Sequence, residues 1–239
     1  MDTSNGTSDD VGGVEKQMTE LAEHFHTCEA FRALFPSQVK QLAEQASVSF
    51  VSKNSDVFVP GDTADFIYLL ISGGGQISHT EPSGKRAILQ VIWPGKLFGQ
   101  CALIDVRCRE AQCRMTLDSE VISIPVSAIK KLMADNPRLA SDLMMDVGNI
   151  MRSLAHRLAS VLLRPKRQRL LDVLQEMAID CDENVRVIPE VFSHQELSEM
   201  IGASRETVTV ILGQLKESGI VEYDGRRLVI RSDSAKTGE

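Results

Sequence analysis

Between Phe192 and Gly219 the chain has little choice of local structure. Phe192-Ser193-His194-Gln195-Glu196-Leu197 has the layout of a helix start. Ser193 stands at the N-cap, Glu196 at N3 is its capping-box partner, and Phe192 and Leu197 hold the two hydrophobic-staple positions. About ten residues later Gly202-Ala203-Ser204 marks a tight turn, and Ser204 caps a second helix that runs to Gly219. Two short helices joined by a turn containing glycine have the layout of a helix-turn-helix. At ~100° per residue, Val208, Ile211, Leu212 and Leu215 fall on one side of the second helix, and Arg205, Glu206, Thr209, Gly213 and Lys216 on the other. An Arg and a Glu in the first turn of a recognition helix can pair with guanine and cytosine edges. Beyond Gly219, two β-rich runs, 220–223 and 228–230, flank Asp224-Gly225, a strong hairpin signal. Arg226 and Arg227 then stand at the tip of a β wing, near phosphates.

Upstream, Leu163-Arg164-Pro165 ends a long helix that begins near Asn136-Pro137, since proline cannot donate an interior hydrogen bond. Within it Met144, Val147, Met151, Leu154, Leu158 and Val161 recur at steps of 3, 4, 3, 4 and 3, the pattern of a coiled-coil seam. A helix packed on its own domain would show a wider apolar stripe, so the seam reads as a dimer interface. Residues 166–177 form a further helix, followed by a polar turn over Asp180–Asn184 and a short strand Val185–Ile188. From Ser47 onward, short β-rich runs alternate with turns at Pro60-Gly61-Asp62, Gly73-Gly74-Gly75, Ser83-Gly84 and Pro94-Gly95, which indicates a small antiparallel barrel or roll. A further β segment covers Ala111–Val126. Residues 14–46 form short amphipathic helices interrupted by Pro36, and residues 1–13 are too polar to order themselves. The expected organisation is therefore α+β: a flexible tail over 1–13, a β-roll sensor domain over 14–135, a dimerisation helix over 136–163 and a winged helix-turn-helix over 164–239.

Composition narrows the function. The 239 residues carry a net charge of −7, which counts against nucleic acid unless basic side chains are concentrated locally. From Arg164 onward there are 11 Lys and Arg against 14 Asp and Glu, so placement decides. No apolar run reaches the ~18–20 residues of a membrane span, and the polar N-terminus lacks a signal-peptide layout, so a cytoplasmic protein without membrane contact is expected. Nothing resembles a Ser/His/Asp, paired-carboxylate or Walker constellation, so no enzyme is expected.

These motifs, with Ile201-Gly-Ala-Ser-Arg-Glu-Thr-Val208 the most specific of them, resemble the CRP/FNR family, the cyclic-AMP receptor protein and its relatives, over about residues 25–232. Pro60-Gly61-Asp62, Phe98-Gly99 and the long helix support the resemblance. It implies a cyclic-nucleotide-binding-like β-roll, a homodimer through the long helix, and a winged helix-turn-helix on a near-palindromic double-stranded operator. It also implies activators or repressors that often contact RNA polymerase. The candidate DNA contacts are Ser193, Gln195, Ser204, Arg205, Glu206, Thr209, Lys216, Arg226 and Arg227. Val210 stands where cyclic-AMP receptor protein-like members commonly carry a second arginine; valine cannot donate to guanine but can touch a thymine methyl.

The effector cassette starts at Phe98-Gly99, with Gly99, Gln100, Arg109, Glu110 and Leu154 as candidate binding residues. Arg109 matches the arginine that grips the cyclic phosphate in the family's cyclic-AMP binders. Gln100 replaces the ribose-binding Glu, Glu110 replaces a hydroxyl residue, and Leu154 and Ala155 replace the residues that approach adenine. Cyclic AMP is therefore not the expected effector, and the cofactor is left open. Arg109 either holds another anion or, the favoured reading, pairs with Glu110 or Asp105. A redox or metal sensor, with an iron–sulfur cluster or haem, is the alternative: Cys101, Cys108 and Cys113 gather near the cassette, though buried Cys is often a small hydrophobe. His24-x-His26-x-Cys28 is a weaker candidate, because residues two apart on a helix diverge.

Overall fold

The computed structural model describes residues 19–104, 108–182, 185–190, 192–225 and 227–231; the expected tail, Asp105 and Arg226 lie outside them. Its contacts divide the chain into two compact units, Met1–His79 with Gln90–Met151, and Thr80–Leu89 with Arg152–Glu239.

In the first unit two helices, α1 over 19–27 and α2 (Pro36–Ala43), precede the strands. Pro36 opens α2 rather than breaking a helix, because the first helical position has no intrahelical use for an N–H. Eight strands follow: β1 (Ser47–Val51), β2 (Asp56–Phe58), β3 (Phe66–Ser72), β4 (Gly75–Thr80), β5 (Arg86–Ile92), β6 (Leu97–Phe98), β7 (Gln112–Met115) and β8 (Ser119–Pro125), the end of β4 at Thr80 and the first part of β5, up to Leu89, being counted with the second unit. They form two four-stranded sheets, ordered β1-β8-β3-β6 and β2-β7-β4-β5. The pairings β1–β8, β3–β8, β3–β6, β2–β7 and β4–β7 are all antiparallel. The single β segment expected over Ala111–Val126 is thus two strands in different sheets. Gln112 and Arg114 alternate with the fully buried Cys113 and Met115, as the pattern there requires.

Period-two alternation builds two cores. Ile67 and Leu69 of β3 and Ile122 and Ile124 of β8 pack beneath Phe25, Phe31, Leu42 and the following helix α3 (Val126–Asp135). Leu70 and Val121 turn the other way, into a cluster with Phe58, Ile92, Phe98, Cys113 and Met115 drawn from both sheets. Helix α4 (Pro137–Leu163) starts against the first core. Asn136 caps it, accepting from the Leu139 N–H while its own amide donates to Ala33 and Gln38. Of its 27 residues only Leu139 and Leu143 are buried.

The second unit contains the end of α4, then α5 (Lys166–Met177), α6 (His194–Ile201) and α7 (Arg205–Glu217). A sheet ordered β11-β12-β10-β9 completes it, from β9 (Ile179–Asp182), β10 (Val185–Ile188), β11 (Val221–Asp224) and β12 (Arg227–Arg231). Strand β9 replaces most of the polar turn expected over Asp180–Asn184. Pairing with β10 overrides the polar composition, helped by Arg186, which reaches Asp180 at 2.7 Å and the Ala178 carbonyl at 3.0 Å. On α5, Asp172 accepts from Ser160 and Arg164 of α4, and Glu176 accepts from Ser153 and Arg157, one heptad earlier. Burial pushes the Asp172 carboxyl up, but the hydrogen bonds from Gln168, Ser160 and Arg164 outweigh it and hold the group below its ordinary value.

Candidate nucleic-acid interface and effector cassette

The helix-turn-helix is fixed at its ends by side chains. Ser193 Oγ accepts from the Glu196 N–H, and the Glu196 carboxylate accepts from the Ser193 N–H at 2.8 Å, closing the capping box. Gly202 ends α6 at φ 62°, a left-handed conformation that glycine adopts without penalty, and its N–H returns to Ser198. Ser204 then caps α7 by accepting from the Thr207 N–H. Val208, Ile211, Leu212 and Leu215 are buried against the unit's core, whereas Arg205, Glu206, Thr209, Val210 and Lys216 are exposed.

This exposed face has a defined electrostatic character. Glu206 is fully open to solvent, and hydrogen bonds from its own backbone N–H and from Ser204 hold its carboxyl below the ordinary value. An ionised acceptor therefore sits beside Arg205 in the first turn of α7. Gln195 is also exposed, its amide donating to Glu199 at 2.8 Å. On the wing, Asp224 pairs with Arg227 across Gly225 at φ 60°, and Arg227 is exposed.

In the first unit the cassette departs from expectation at Arg109. The side chain is only 6% exposed, yet among the described residues it meets no carboxylate. Its Nη1 donates to the Gly99 carbonyl at 3.0 Å and its Nη2 to the Phe66 carbonyl, while Nε has no partner. The guanidinium lies 4.4 Å from the Phe58 ring centroid and 5.6 Å from that of Tyr68. Those rings stack with Phe98, Tyr68 and Phe98 being 5.1 Å apart. Gly99, at φ 77°, has no room for a side chain: a Cβ would lie 2.9 Å from Arg109 Nη1. The expected pairing with Glu110 is not formed; Glu110 is exposed, and two carbonyls with an aromatic wall take its place. Gln100 is buried, its amide donating to the Leu97 carbonyl and, at 2.7 Å, to Asp146 of α4.

The thiols do not assemble. Cys101 and Cys108 are exposed, and Cys113 faces the inter-sheet core, where burial pushes its pKa far up. Among the described residues no group of three or more His, Cys, Asp or Glu is arranged to hold a metal ion. That includes His24, His26 and Cys28; Cys28 is buried, with burial raising its pKa to about 11.

Comparison with known proteins decides the family. Residues 48–136 match the cyclic nucleotide-binding domain, and residues 156–235 match the Crp-like helix-turn-helix domain. The chain belongs to the CRP/FNR family. It is a DNA-binding transcription regulator of that type. It is 25% identical to a "CRP-like cAMP-activated global transcriptional regulator" of Mycobacterium tuberculosis, over 86% of this chain and 93% of the relative. It is 24% identical to a "Global nitrogen regulator" of Nostoc, over 77% and 84% respectively. The fold is shared with FixK2 of Bradyrhizobium japonicum (TM-score 0.70, 19% identity, 80% of this chain and 99% of that one). It is also shared with the c-di-GMP-responsive regulator CLP of Xanthomonas campestris (TM-score 0.68, 20% identity, 82% and 99%).

For a CRP/FNR member, the aromatic wall around Arg109 and the Gln100–Asp146 bond are the cassette features that sequence reading missed. Phe58, Phe66, Tyr68, Phe98 and Asp146 are scattered over nearly 90 positions, and no local pattern joins them. No helix among the described residues is long and apolar enough to cross a membrane.

Proposed function

We propose that this regulator acts as a homodimer on a near-palindromic DNA site and that its β-roll does not sense cyclic AMP. The observation that carries the DNA reading is the two-sidedness of α7, apolar where it meets the core and, on its open side, headed by Arg205 and an ionised Glu206. With α7 in the major groove, Arg205 and Glu206 read base edges. Ser193, Gln195, Ser204, Lys216, Arg226 and Arg227 are assigned to the DNA backbone, and Thr209 to the groove. The dimer reading is supported by the seam on α4, where Met144, Met151, Leu154, Leu158 and Val161 are exposed and Val147 is half-buried. Against cyclic AMP stand Gln100, already committed to Leu97 and Asp146, a carboxylate at Glu110, and Leu154, which offers adenine no hydrogen bond.

Selection from a randomised duplex library, with and without cyclic AMP, tests these points together. The expected result is a two-fold-related site with half-sites about 10–11 bp apart, unchanged by the nucleotide. Glu206→Ala should relax preference at one position, while Arg226→Ala should weaken all sequences alike. Enrichment of no two-fold site would overturn the DNA reading, and a site that appears only with cyclic AMP would overturn the effector reading.

A further inference from the structure

Thr209 lies on the exposed side of α7, one turn beyond Arg205. Its hydroxyl has one proton and two lone pairs. Oγ1 lies 3.0 Å from the Arg205 carbonyl and 2.7 Å from Nδ1 of His194, the first residue of α6. A carbonyl only accepts. If the hydroxyl proton goes to Arg205, His194 must donate from Nδ1; if it goes to Nδ1, the imidazole is the acceptor. In both arrangements the hydroxyl proton is used within the protein. What Thr209 offers an outside partner is its methyl group and one or two lone pairs, never a proton. Beside it stands Val210, 60% exposed and wholly apolar.

We propose that His194 is a positioning residue for sequence reading: by occupying the Thr209 hydroxyl, it makes the second turn of α7 select a thymine methyl. A free hydroxyl would donate to N7 or O6 of guanine, or to N7 of adenine; a tied one cannot, while the thymine C5-methyl suits Thr209 Cγ2 and Val210. The first turn of α7 thus reads by charge and hydrogen bonds, and the second by apolar contact. The inference rests on α7 entering the major groove, and the same contact locks α6 to α7 at the point where both approach DNA.

The test uses the duplex selected above, with each thymine of the half-site replaced in turn by deoxyuridine, which removes only the methyl. The wild-type protein should lose about fourfold in affinity at one or two positions, the worth of one buried methyl group. Thr209→Val, which keeps a methyl and lacks the hydroxyl, should bind within about twofold of wild type and stay sensitive to uracil, on the same basis. Thr209→Ser should lose that sensitivity. With His194→Ala the Arg205 carbonyl alone holds the hydroxyl, and rotation about χ1 can release it, so guanine should be admitted at the same position; His194→Asn, which returns a polar group near Nδ1, should restore the discrimination. Melting curves of the four variants confirm that they are folded. A tenfold loss in Thr209→Val with Thr209→Ser unaffected would show the hydroxyl donating to DNA and overturn the proposal, as would indifference to uracil throughout. Failure to select any two-fold site overturns the DNA reading first, and the proposal with it.

Discussion

Arg109 stands at the position of the family's cassette arginine and is held there by backbone carbonyls and aromatic rings. A guanidinium 6% exposed that meets no carboxylate among the described residues should be costly, and three features offset the cost: two carbonyl acceptors, stacked rings, and a glycine that leaves it space. Arg109→Ala removes two charge-assisted hydrogen bonds and leaves a void, so it should destabilise the first unit by about 3 kcal/mol in urea unfolding. A loss below about 1 kcal/mol would mean that the arginine is not a structural pin. At this scale, legibility in the sequence depended on distance along the chain. Ser193, Glu196, Gly202 and Ser204 are read directly, because a cap and its partner lie three residues apart. The surroundings of Arg109 come from strands β2 and β3 and from the turn after β6, and only tertiary structure brings them together. The bond between His194 and Thr209 spans 15 residues and two helices, and was hidden for the same reason.

Among the elements, α4 is the one whose own chain does least to explain it. Spanning about 40 Å at 1.5 Å per residue, it buries two side chains near its start and leaves Met151 67% and Leu158 61% exposed. A second copy laid along the stripe would cover these residues at the heptad spacing. Met151→Lys together with Leu158→Lys should convert a dimer to a monomer in sedimentation velocity, with unchanged helix content. Affinity for a two-fold site should fall roughly 100-fold as the linked second contact is lost. A dimer surviving both changes would place the interface elsewhere. The helix and its exposed apolar stripe were legible because nothing within the chain interrupts their period, whereas β9 was not, its residues Ile179-Asp180-Cys181-Asp182 being polar enough to imply a turn. Strand order depends on partners, and partners are set by register rather than by composition.

At the level of the whole molecule, net charge limits how the protein can hold DNA. A chain of net charge −7 that binds DNA must do so with few neutralised phosphates, the candidates per copy being Lys216, Arg226 and Arg227. For a pair of copies making about six such contacts, the log–log slope of affinity against salt should be about −5. Fluorescence anisotropy between roughly 50 and 300 mM salt measures it; a slope near −10 would reveal a basic surface that this chain does not display. The division into two units cuts α4 after Met151 and groups Thr80–Leu89 with the C-terminal residues. The uncovered seam on that helix carries a consequence for the cell. If two copies are required per operator, as proposed, occupancy at low expression rises with the square of the protein's concentration, so halving its synthesis would cut the regulated output about fourfold. Copy number itself becomes an input, separate from whatever the β-roll detects.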